Sequence, residues 1–316
     1  MSAFRTEPLA LGVTRVPVGF VNVYAVRSPT DEWVLVDTGL PGAAGYLERF
    51  GERDMGGPPS AIVLTHGHFD HAGNAAALAD AWGVPVYAHA AELPFLTGRS
   101  DYPPGDPSMG GAIAHFSRAF PHAGRDLGDR IRALPDDGSV PGLPDWTHLH
   151  TPGHTNGHVS LWRATDAVLI AGDALATMDL DSWGAQVTHA RALARSAAPF
   201  TTNWDAATAS QLVLAELEPC CIGAGHGRVL TGAGLAERLR AWASVDHRPR
   251  YGRYVREPAR FDDEEGVVSL PPPVDDRAGK RAIVSLAAAA AGVWVVDRAS
   301  RSSVSRGGRL VGDAPR

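Results

Sequence analysis

The chain has 316 residues, of which 44% are hydrophobic and 20% are charged, and its formal net charge is −6. A chain of this length and composition is typical of a globular protein with one large domain or two smaller ones. The negative charge disfavours nucleic acid as a main partner, because phosphate binding needs a basic surface.

No apolar run reaches the length of about 18 residues that a membrane-spanning helix needs. Residues 1–7 lack the basic start and apolar core of a signal peptide. The two cysteines, Cys220 and Cys221, are adjacent, so a disulfide between them would be strained. We therefore expect a cytoplasmic protein with free thiols on a buried strand and no membrane partner.

Short apolar segments alternate with helical segments along the chain, which indicates an α/β protein. Strands are predicted over residues 11–26, 33–37, 61–65, 84–88, 147–150, 159–162, 167–171 and 220–224. Helices are predicted over residues 73–82, 112–120, 204–217 and 282–296. Asn203 directly precedes the third helix and is predicted to cap its amino end.

A dense group of potential metal ligands follows the predicted strand at 61–65. The sequence there is Thr-His-Gly-His-Phe-Asp-His, with His66, His68, Asp70 and His71 as the ligand-type residues. Four such side chains within six positions cannot all be satisfied by ordinary core packing. Imidazole and carboxylate groups suit Zn²⁺, Mn²⁺ or Fe²⁺, so the pattern predicts a metal site.

Three further motifs carry one ligand-type residue each. His154 follows Thr-Pro-Gly, Asp173 follows Ala-Gly, and His226 lies between two glycines. Each motif comes at or just after a predicted strand, where loops on a rigid scaffold commonly carry function. Together with the first group they offer seven ligands, enough for two metal ions.

The order of these motifs resembles that of the metallo-β-lactamase-fold superfamily. Its members carry a His-x-His-x-Asp-His loop followed by a lone His, a lone Asp and a final His. The resemblance covers roughly residues 10–235 and includes Asp37 in the segment Val-Leu-Val-Asp-Thr-Gly. It implies an αββα sandwich, with two mixed sheets face to face and helices outside.

The resemblance also implies a role for each ligand in a dinuclear site. The assignments are His66, His68 and His154 for the first ion, Asp70, His71 and His226 for the second, and Asp173 for the carboxylate that bridges them. Asp70 is further expected to handle the proton of the nucleophile, which makes it the predicted catalytic residue. Asp37 and His158 are predicted to orient ligands by hydrogen bonds. Two divalent ions are expected, with zinc preferred over manganese or iron.

The motif details are most similar to those of the glyoxalase II and lactonase group. His68 stands where the oxygen-reducing diiron branch carries glutamate, and Asp173 stands where common β-lactamases carry cysteine. The resemblance implies that a bridging hydroxide hydrolyses an ester, thioester or lactone, with a small acyl compound as the substrate.

Three alternatives remain open from the sequence. A mononuclear iron dioxygenase acting on a persulfide would use fewer of the same ligands. A phosphodiesterase would fit the ligands but not the negative charge. A non-enzymatic metal-binding module is disfavoured because all seven ligands are retained.

The predicted catalytic domain covers residues 1–245 and contains an insertion at about 99–120. We expect this insertion to line the acyl pocket through Tyr102, Met109 and Phe116. Residues 246–316 are predicted to form a C-terminal extension that packs on the sandwich or on a second subunit. The Gly- and Ser-rich end of the extension, 302–316, is expected to be disordered.

Overall fold

Two β-sheets pack face to face in the computed structural model, which describes residues 5–273. The first sheet has seven strands in sequential order, Glu7–Ala10 (β1), Val13–Val18 (β2), Val21–Arg27 (β3), Trp33–Val36 (β4), Ala61–Val63 (β5), Val86–Ala88 (β6) and Ile131–Ala133 (β7). Strands β1 to β4 are antiparallel, and β4 to β7 are parallel. These residues all lie within one compact unit, Met1–Val274.

The second sheet has six strands in the order β13-β12-β11-β10-β9-β8. They are Ser139–Val140 (β8), Leu143–His150 (β9), Val159–Arg163 (β10), Val168–Ile170 (β11), Cys221–Gly223 (β12) and Leu230–Thr231 (β13). Strands β11 and β12 pair in parallel, while the other neighbours in this sheet are antiparallel. Cys220 is exposed and Cys221 is buried, and both are free thiols.

Alternation along each strand explains why the sheets stack. In β4, Val34 and Val36 belong to the apolar cluster between the sheets, whereas Leu35 belongs to the cluster under the helices on the outer face. In β11, Val168 belongs to the cluster between the sheets, and Leu169 belongs to the cluster on the outer face of the second sheet. Since successive side chains point to opposite faces of a sheet, each strand contributes to two apolar layers.

Helices cover both outer faces. The α-helices within residues 5–273 are Ala44–Phe50 (α1), Ala75–Trp82 (α2), Leu93–Leu96 (α3), Ala112–Phe116 (α4), Trp183–Thr188 (α5), Trp204–Glu216 (α6), Leu235–Ala243 (α7) and Arg253–Arg256 (α8). Helix α1 continues as a π-helical turn, Gly51–Met55, and short 3-10 turns lie at Ala90–Glu92, Pro107–Met109, Ser117–Ala119, Gly128–Arg130 and Ala198–Phe200. Helices α1 and α2 pack on the first sheet, and α6 and α7 pack on the second. The predicted αββα sandwich is confirmed.

Several predicted elements differ in detail. The strand predicted at 11–26 is wrong as a single element, because the chain reverses between β2 and β3 at Gly19, whose φ of 65° is left-handed. The helix predicted at 112–120 ends at Phe116 and continues as a 3-10 turn. Asn203 caps α6 as predicted, since its side chain accepts a 3.1 Å hydrogen bond from the amide of Ala206.

The segment after α7 folds back onto the insertion. It contains α8 and a hairpin of Arg260–Asp262 (β14) and Gly266–Ser269 (β15). The Tyr254 hydroxyl donates a 2.6 Å hydrogen bond to the carbonyl of Pro104. Residues 246–273 are thus part of the compact unit, while the predicted helix at 282–296 and the predicted disorder at 302–316 lie outside the described residues. Among residues 5–273, no helix is long and apolar enough to cross a membrane.

Candidate metal centre

The ligand-type residues lie on loops that leave the carboxyl ends of strands. The first group, His66 to His71, follows β5 of the first sheet. His154, Asp173 and His226 follow β9, β11 and β12 of the second sheet. All of these strand ends meet at one edge of the sandwich, so both sheets contribute to one site.

The structure brings all seven predicted ligands together. Their ligand atoms form three overlapping groups of three residues, and within each group the ligand atoms lie within 4.8 Å of one another. The groups are His66, His68 and His154; Asp70, His71 and His226; and His66, His71 and Asp173.

The Asp173 carboxylate lies between the two predicted ion positions. Its Oδ2 is 3.5 Å from Nε2 of His154 and 3.3 Å from Nε2 of His226. Its Oδ1 is 3.6 Å from Nε2 of His71. In the second group, Oδ2 of Asp70 lies 3.6 Å from Nε2 of His226. One carboxylate thus lies close to ligand-type atoms of both groups.

Hydrogen bonds on the far side of the imidazoles fix which nitrogen faces the centre. Nδ1 of His71 lies 2.8 Å from Asp37, Nδ1 of His154 lies 3.1 Å from the Ser196 hydroxyl, and Nδ1 of His226 lies 3.0 Å from the Phe20 carbonyl. Each therefore presents Nε2 inward, and metal-bound histidines usually make such outer bonds. In His68 it is Nδ1 that faces the centre, 3.1 Å from Nε2 of His66 and from Nε2 of His154.

Two buried polar atoms show that this residue set fits a metal. Nε2 of His71 and Oδ1 of Asp173 have no hydrogen-bond partner within residues 5–273. Buried polar atoms are rarely left unpaired, and an unpaired one costs free energy. Divalent ions held between the imidazole and carboxylate groups would give both atoms a partner.

Burial and charge set the protonation states of the centre. Burial lowers the pKa of His68 and of His154 to about 3, so both imidazoles are neutral and can act as ligands. For His71, burial acts to lower the pKa, but the carboxylates of Asp37, Asp173 and Asp70 outweigh it and raise the pKa to about 10. A metal at this position would displace the proton that these carboxylates stabilise.

Asp37 holds His71 and the start of the ligand loop together. Its Oδ1 accepts a 2.7 Å hydrogen bond from the amide of Thr65, and its Oδ2 accepts one of 2.9 Å from the Thr65 hydroxyl. That hydroxyl in turn lies 3.1 Å from Nδ1 of His66. Asp37 therefore lies where it was predicted to orient ligands, touching one directly and another through Thr65.

His158 contacts Asp173 through the backbone. Its Nε2 accepts a 2.8 Å hydrogen bond from the amide of Asp173, and its Nδ1 lies 2.9 Å from the Thr151 hydroxyl. Gly172 has a φ of 52°, and a Cβ there would lie 2.6 Å from Nε2 of His158. The glycine before the aspartate is thus required by this close approach.

Sequence reasoning missed Glu92, which is fully buried beside the ligand loop. Its carboxylate accepts hydrogen bonds of 2.9 Å from the amide of Gly67, 3.0 Å from the amide of Gly157 and 2.6 Å from the Thr155 hydroxyl. The Tyr102 hydroxyl is a fourth donor. A charged residue within the otherwise apolar segment 90–96 is the sequence signal that could have drawn attention to it.

An apolar cavity of about 480 Å³ opens above the centre. Its floor is formed by ligand side chains, and the rest of its lining is largely aromatic and aliphatic. The floor residues are His68, Asp70, His154, Asp173 and His226.

Of the three residues predicted to contact the acyl group, Phe116 lines this cavity. Tyr102 does not: its ring lies 4.7 Å from that of His68 between centroids, where it supports a ligand and bonds Glu92. The prediction for Met109 is wrong as well, because this side chain is buried in a separate cluster with Trp204 and Tyr254. The C-terminal segment that covers Met109 was not expected to pack there.

Comparison with known proteins identifies the family. The family model described as "Metallo-beta-lactamase superfamily" matches residues 16–226. The probable metallo-hydrolase YflN of Bacillus subtilis (strain 168) is 41% identical over 238 residues, which cover 73% of this chain and 89% of that protein.

Solved structures agree with this assignment. TTHA1623 in a di-iron-bound form is 28% identical with a TM-score of 0.50, covering 72% of this chain and 98% of that one. A β-lactamase domain protein from Burkholderia ambifaria, 21% identical with a TM-score of 0.53 over 77% of this chain and 75% of its own, shares the fold. The resemblance drawn from the motif order is confirmed, and the chain belongs to the metallo-β-lactamase superfamily.

Proposed function

We propose that this protein is a dinuclear metal-dependent hydrolase that cleaves an ester, a thioester or a lactone. The observation that carries the proposal is the Asp173 carboxylate between two ligand groups, at the floor of an apolar cavity. When bound there, two divalent ions would supply a water of lowered pKa and polarise an acyl oxygen. Zinc, manganese and iron all suit the ligands.

The chain's own residues supply the remaining functions. Asp70 lines the cavity floor, so its carboxylate is within reach of a proton released by an attacking water. Asp37 and His158 keep His71 and Asp173 in position. The apolar walls exclude bulk water from the reacting acyl group, which strengthens electrostatic interactions at the centre.

The cavity supports acyl transfer to water over phosphodiester cleavage. Among residues 5–273, no lysine or arginine lines it, and the chain has a formal net charge of −6. A polyanionic substrate would meet few groups of opposite charge on the protein. The expected partner is therefore a small acyl compound rather than a nucleic acid.

The test is an activity panel on the full chain loaded separately with zinc, manganese or iron. We expect bound metal close to two ions per chain and hydrolysis of at least one ester, thioester or lactone. Asp70→Asn should abolish most of this turnover, while Asp129→Asn, at an exposed aspartate away from the cavity, should not.

Three outcomes would overturn the proposal. Cleavage of phosphodiesters by a protein inert toward every acyl substrate would favour a phosphodiesterase. Oxygen consumption with a persulfide by the iron-loaded protein would favour the dioxygenase. Absence of bound metal after supplementation would remove the basis of the hydrolase proposal and of both alternatives.

A further inference from the structure

The walls of the cavity come from segments that are distant in the sequence. The turn between β2 and β3, the ligand loop, the α4 region and the α5 region each contribute apolar side chains. These side chains include Phe20, Phe69, Phe116, Phe120 and Trp183, and the 3-10 turn Ala198–Phe200 adds Phe200. A volume of about 480 Å³ falls in the range of roughly 300–1,000 Å³ that is usual for small-molecule sites.

Phe120 joins these segments into one aromatic wall. Its ring centroid lies 6.1 Å from that of Phe20, 5.4 Å from that of Phe69 and 5.8 Å from that of Phe200. Aromatic rings at such separations attract one another and form a firm apolar surface. The wall therefore begins at Phe69 on the ligand loop and extends through Phe120 away from the metal centre.

The mouth of the cavity is also apolar. Phe116 of α4 is 48% exposed and Trp183 of α5 is 56% exposed, and their ring centroids lie 5.7 Å apart. Val187, one turn further along α5, is 81% exposed and lines the same cavity. Large apolar side chains grouped in solvent around a cavity indicate a binding surface, because water disfavours their exposure.

Above the floor, the lining lacks formal charge. Within the described part of the chain, its polar side chains are His122 and Gln186, and no lysine, arginine, aspartate or glutamate lines the cavity apart from Asp70 and Asp173 of the centre. A carboxylate or phosphate held between these walls would lose its hydration without gaining a partner of opposite charge, which strongly disfavours its binding.

We propose that the substrate carries an uncharged hydrocarbon chain that runs from the metal centre along the Phe120 wall and leaves the cavity across the contacting rings of Phe116 and Trp183 at its mouth. This deepens the proposed function, on which it rests, by naming the substrate class: neutral esters, thioesters or lactones with an extended apolar acyl group. Phe116 and Trp183 set the specificity for chain length, since they cover the part of the chain that has passed the cavity.

Binding of methyl ketones tests this independently of hydrolysis. Ketones from butanone to decanone are uncharged, mimic the acyl carbonyl and cannot be hydrolysed, so their Kd can be measured by calorimetry on the metal-loaded full chain. We expect Kd to fall about three- to fourfold for each methylene buried, as far as the chain stays covered by protein.

Matched variants locate the effect. In Phe116→Ala and Trp183→Ala, decanone should lose affinity by about three- to fourfold for each methylene no longer covered, while butanone should bind as before. The controls are Leu212→Ala and Val213→Ala, since these side chains are 45% and 47% exposed on α6 and do not line the cavity. A mid-length ketone that carries a carboxylate at the end far from the carbonyl should bind more weakly than the same ketone without it, because that end lies inside the cavity, where no lysine or arginine of residues 5–273 lines the walls.

The outcomes separate the two proposals. The chain-binding proposal is overturned if the ketone Kd does not depend on chain length. It is also overturned if neither Phe116→Ala nor Trp183→Ala changes the Kd of decanone. Both conclusions hold whatever substrate the protein hydrolyses. Ketone binding with the expected pattern in a protein that cleaves no acyl substrate overturns the proposed function instead. In an active protein, kcat/KM for alkanoyl thioesters should rise with chain length and lose that rise in Trp183→Ala.

Discussion

The carboxylate of Glu92 accepts a 2.9 Å hydrogen bond from the amide of Gly67, the residue that separates two ligand histidines. The same carboxylate binds the Thr155 hydroxyl and the Gly157 amide on the loop that carries His154. One buried side chain thus fixes the distance between two ligand loops that come from different sheets. Its influence on the metal centre is through position, since it touches no ligand atom.

Glu92→Gln is expected to lower both metal affinity and the free energy of unfolding. The variant keeps the shape but turns an amide NH₂ toward donors that need an acceptor, and each buried donor left unpaired costs about 1–3 kcal/mol. Denaturant unfolding of the metal-free protein and metal titration measure the two effects. Tyr102→Phe, which removes only one donor, should have a smaller effect. Wild-type metal affinity in Glu92→Gln would refute the positioning role.

Asp37→Asn should weaken metal binding by about 10–100-fold, the usual effect of removing a partner that orients a ligand. Asparagine suits this test because Asp37 has a left-handed φ of 62°, which asparagine tolerates better than alanine does. Competition with a chelator of known affinity gives the metal Kd. An unchanged metal Kd would show that His71 does not need the Asp37 carboxylate at its Nδ1 to bind the metal.

Ligand substitutions should divide the centre into two sites. His71→Ala and His226→Ala are each expected to leave close to one ion per chain, because they remove ligands from the same group. Asp173→Ala should reduce binding of both ions, since its carboxylate faces both groups. Elemental analysis after gel filtration provides the count. Equal loss of both ions in His71→Ala would contradict the division.

Acid should destabilise the protein partly through His89, outside the metal centre. Burial, with further contributions from His150 and His148, lowers the pKa of His89 from its ordinary 6.5 to about 4. Between these values the unfolded chain binds the proton and the folded chain does not, so this contribution to stability is complete above pH 6.5 and is lost as the pH falls toward 4.

His89→Asn isolates this contribution. Nδ1 of His89 accepts a 3.2 Å hydrogen bond from the amide of Ala91, and asparagine can make the same bond without titrating. Urea unfolding of both metal-free proteins across this pH window should give a flatter profile for the variant. Parallel profiles would show that His89 does not contribute to the acid sensitivity.

The grouping of the ligand-type residues was predictable from sequence because their chemistry is unusual and local. Four ligand-type residues within His66–His71 have no ordinary structural explanation, and the placement of Asp173 after a short apolar strand restricts where it lies in the fold. Alternating and continuous apolar runs likewise indicated most of the central strands. Periodicity of this kind reports burial on one or both faces of a strand.

The features that were missed depend on contacts between distant segments. Strand β8 has two residues, too few for a period to be visible. Met109 lies in an apolar cluster with Tyr254, 145 positions further along the chain, and no local pattern links them. Glu92 appears as an isolated charge until the fold places three loops around it. Such contacts override local propensity, because burial and polar satisfaction are decided by the tertiary structure.

The predicted metal ligands come from loops of both sheets, so bound metal would stabilise the folded protein in a cell. Ions that bind only the folded chain stabilise it by RT ln(1 + [L]/Kd), about 2.7 kcal/mol when free metal is one hundred times Kd. Chains made during metal starvation would lack that contribution, so the ligand loops of the two sheets would separate more often. We therefore expect proteolytic turnover of this protein to rise when the supply of its metal falls, so that its abundance reports on metal nutrition.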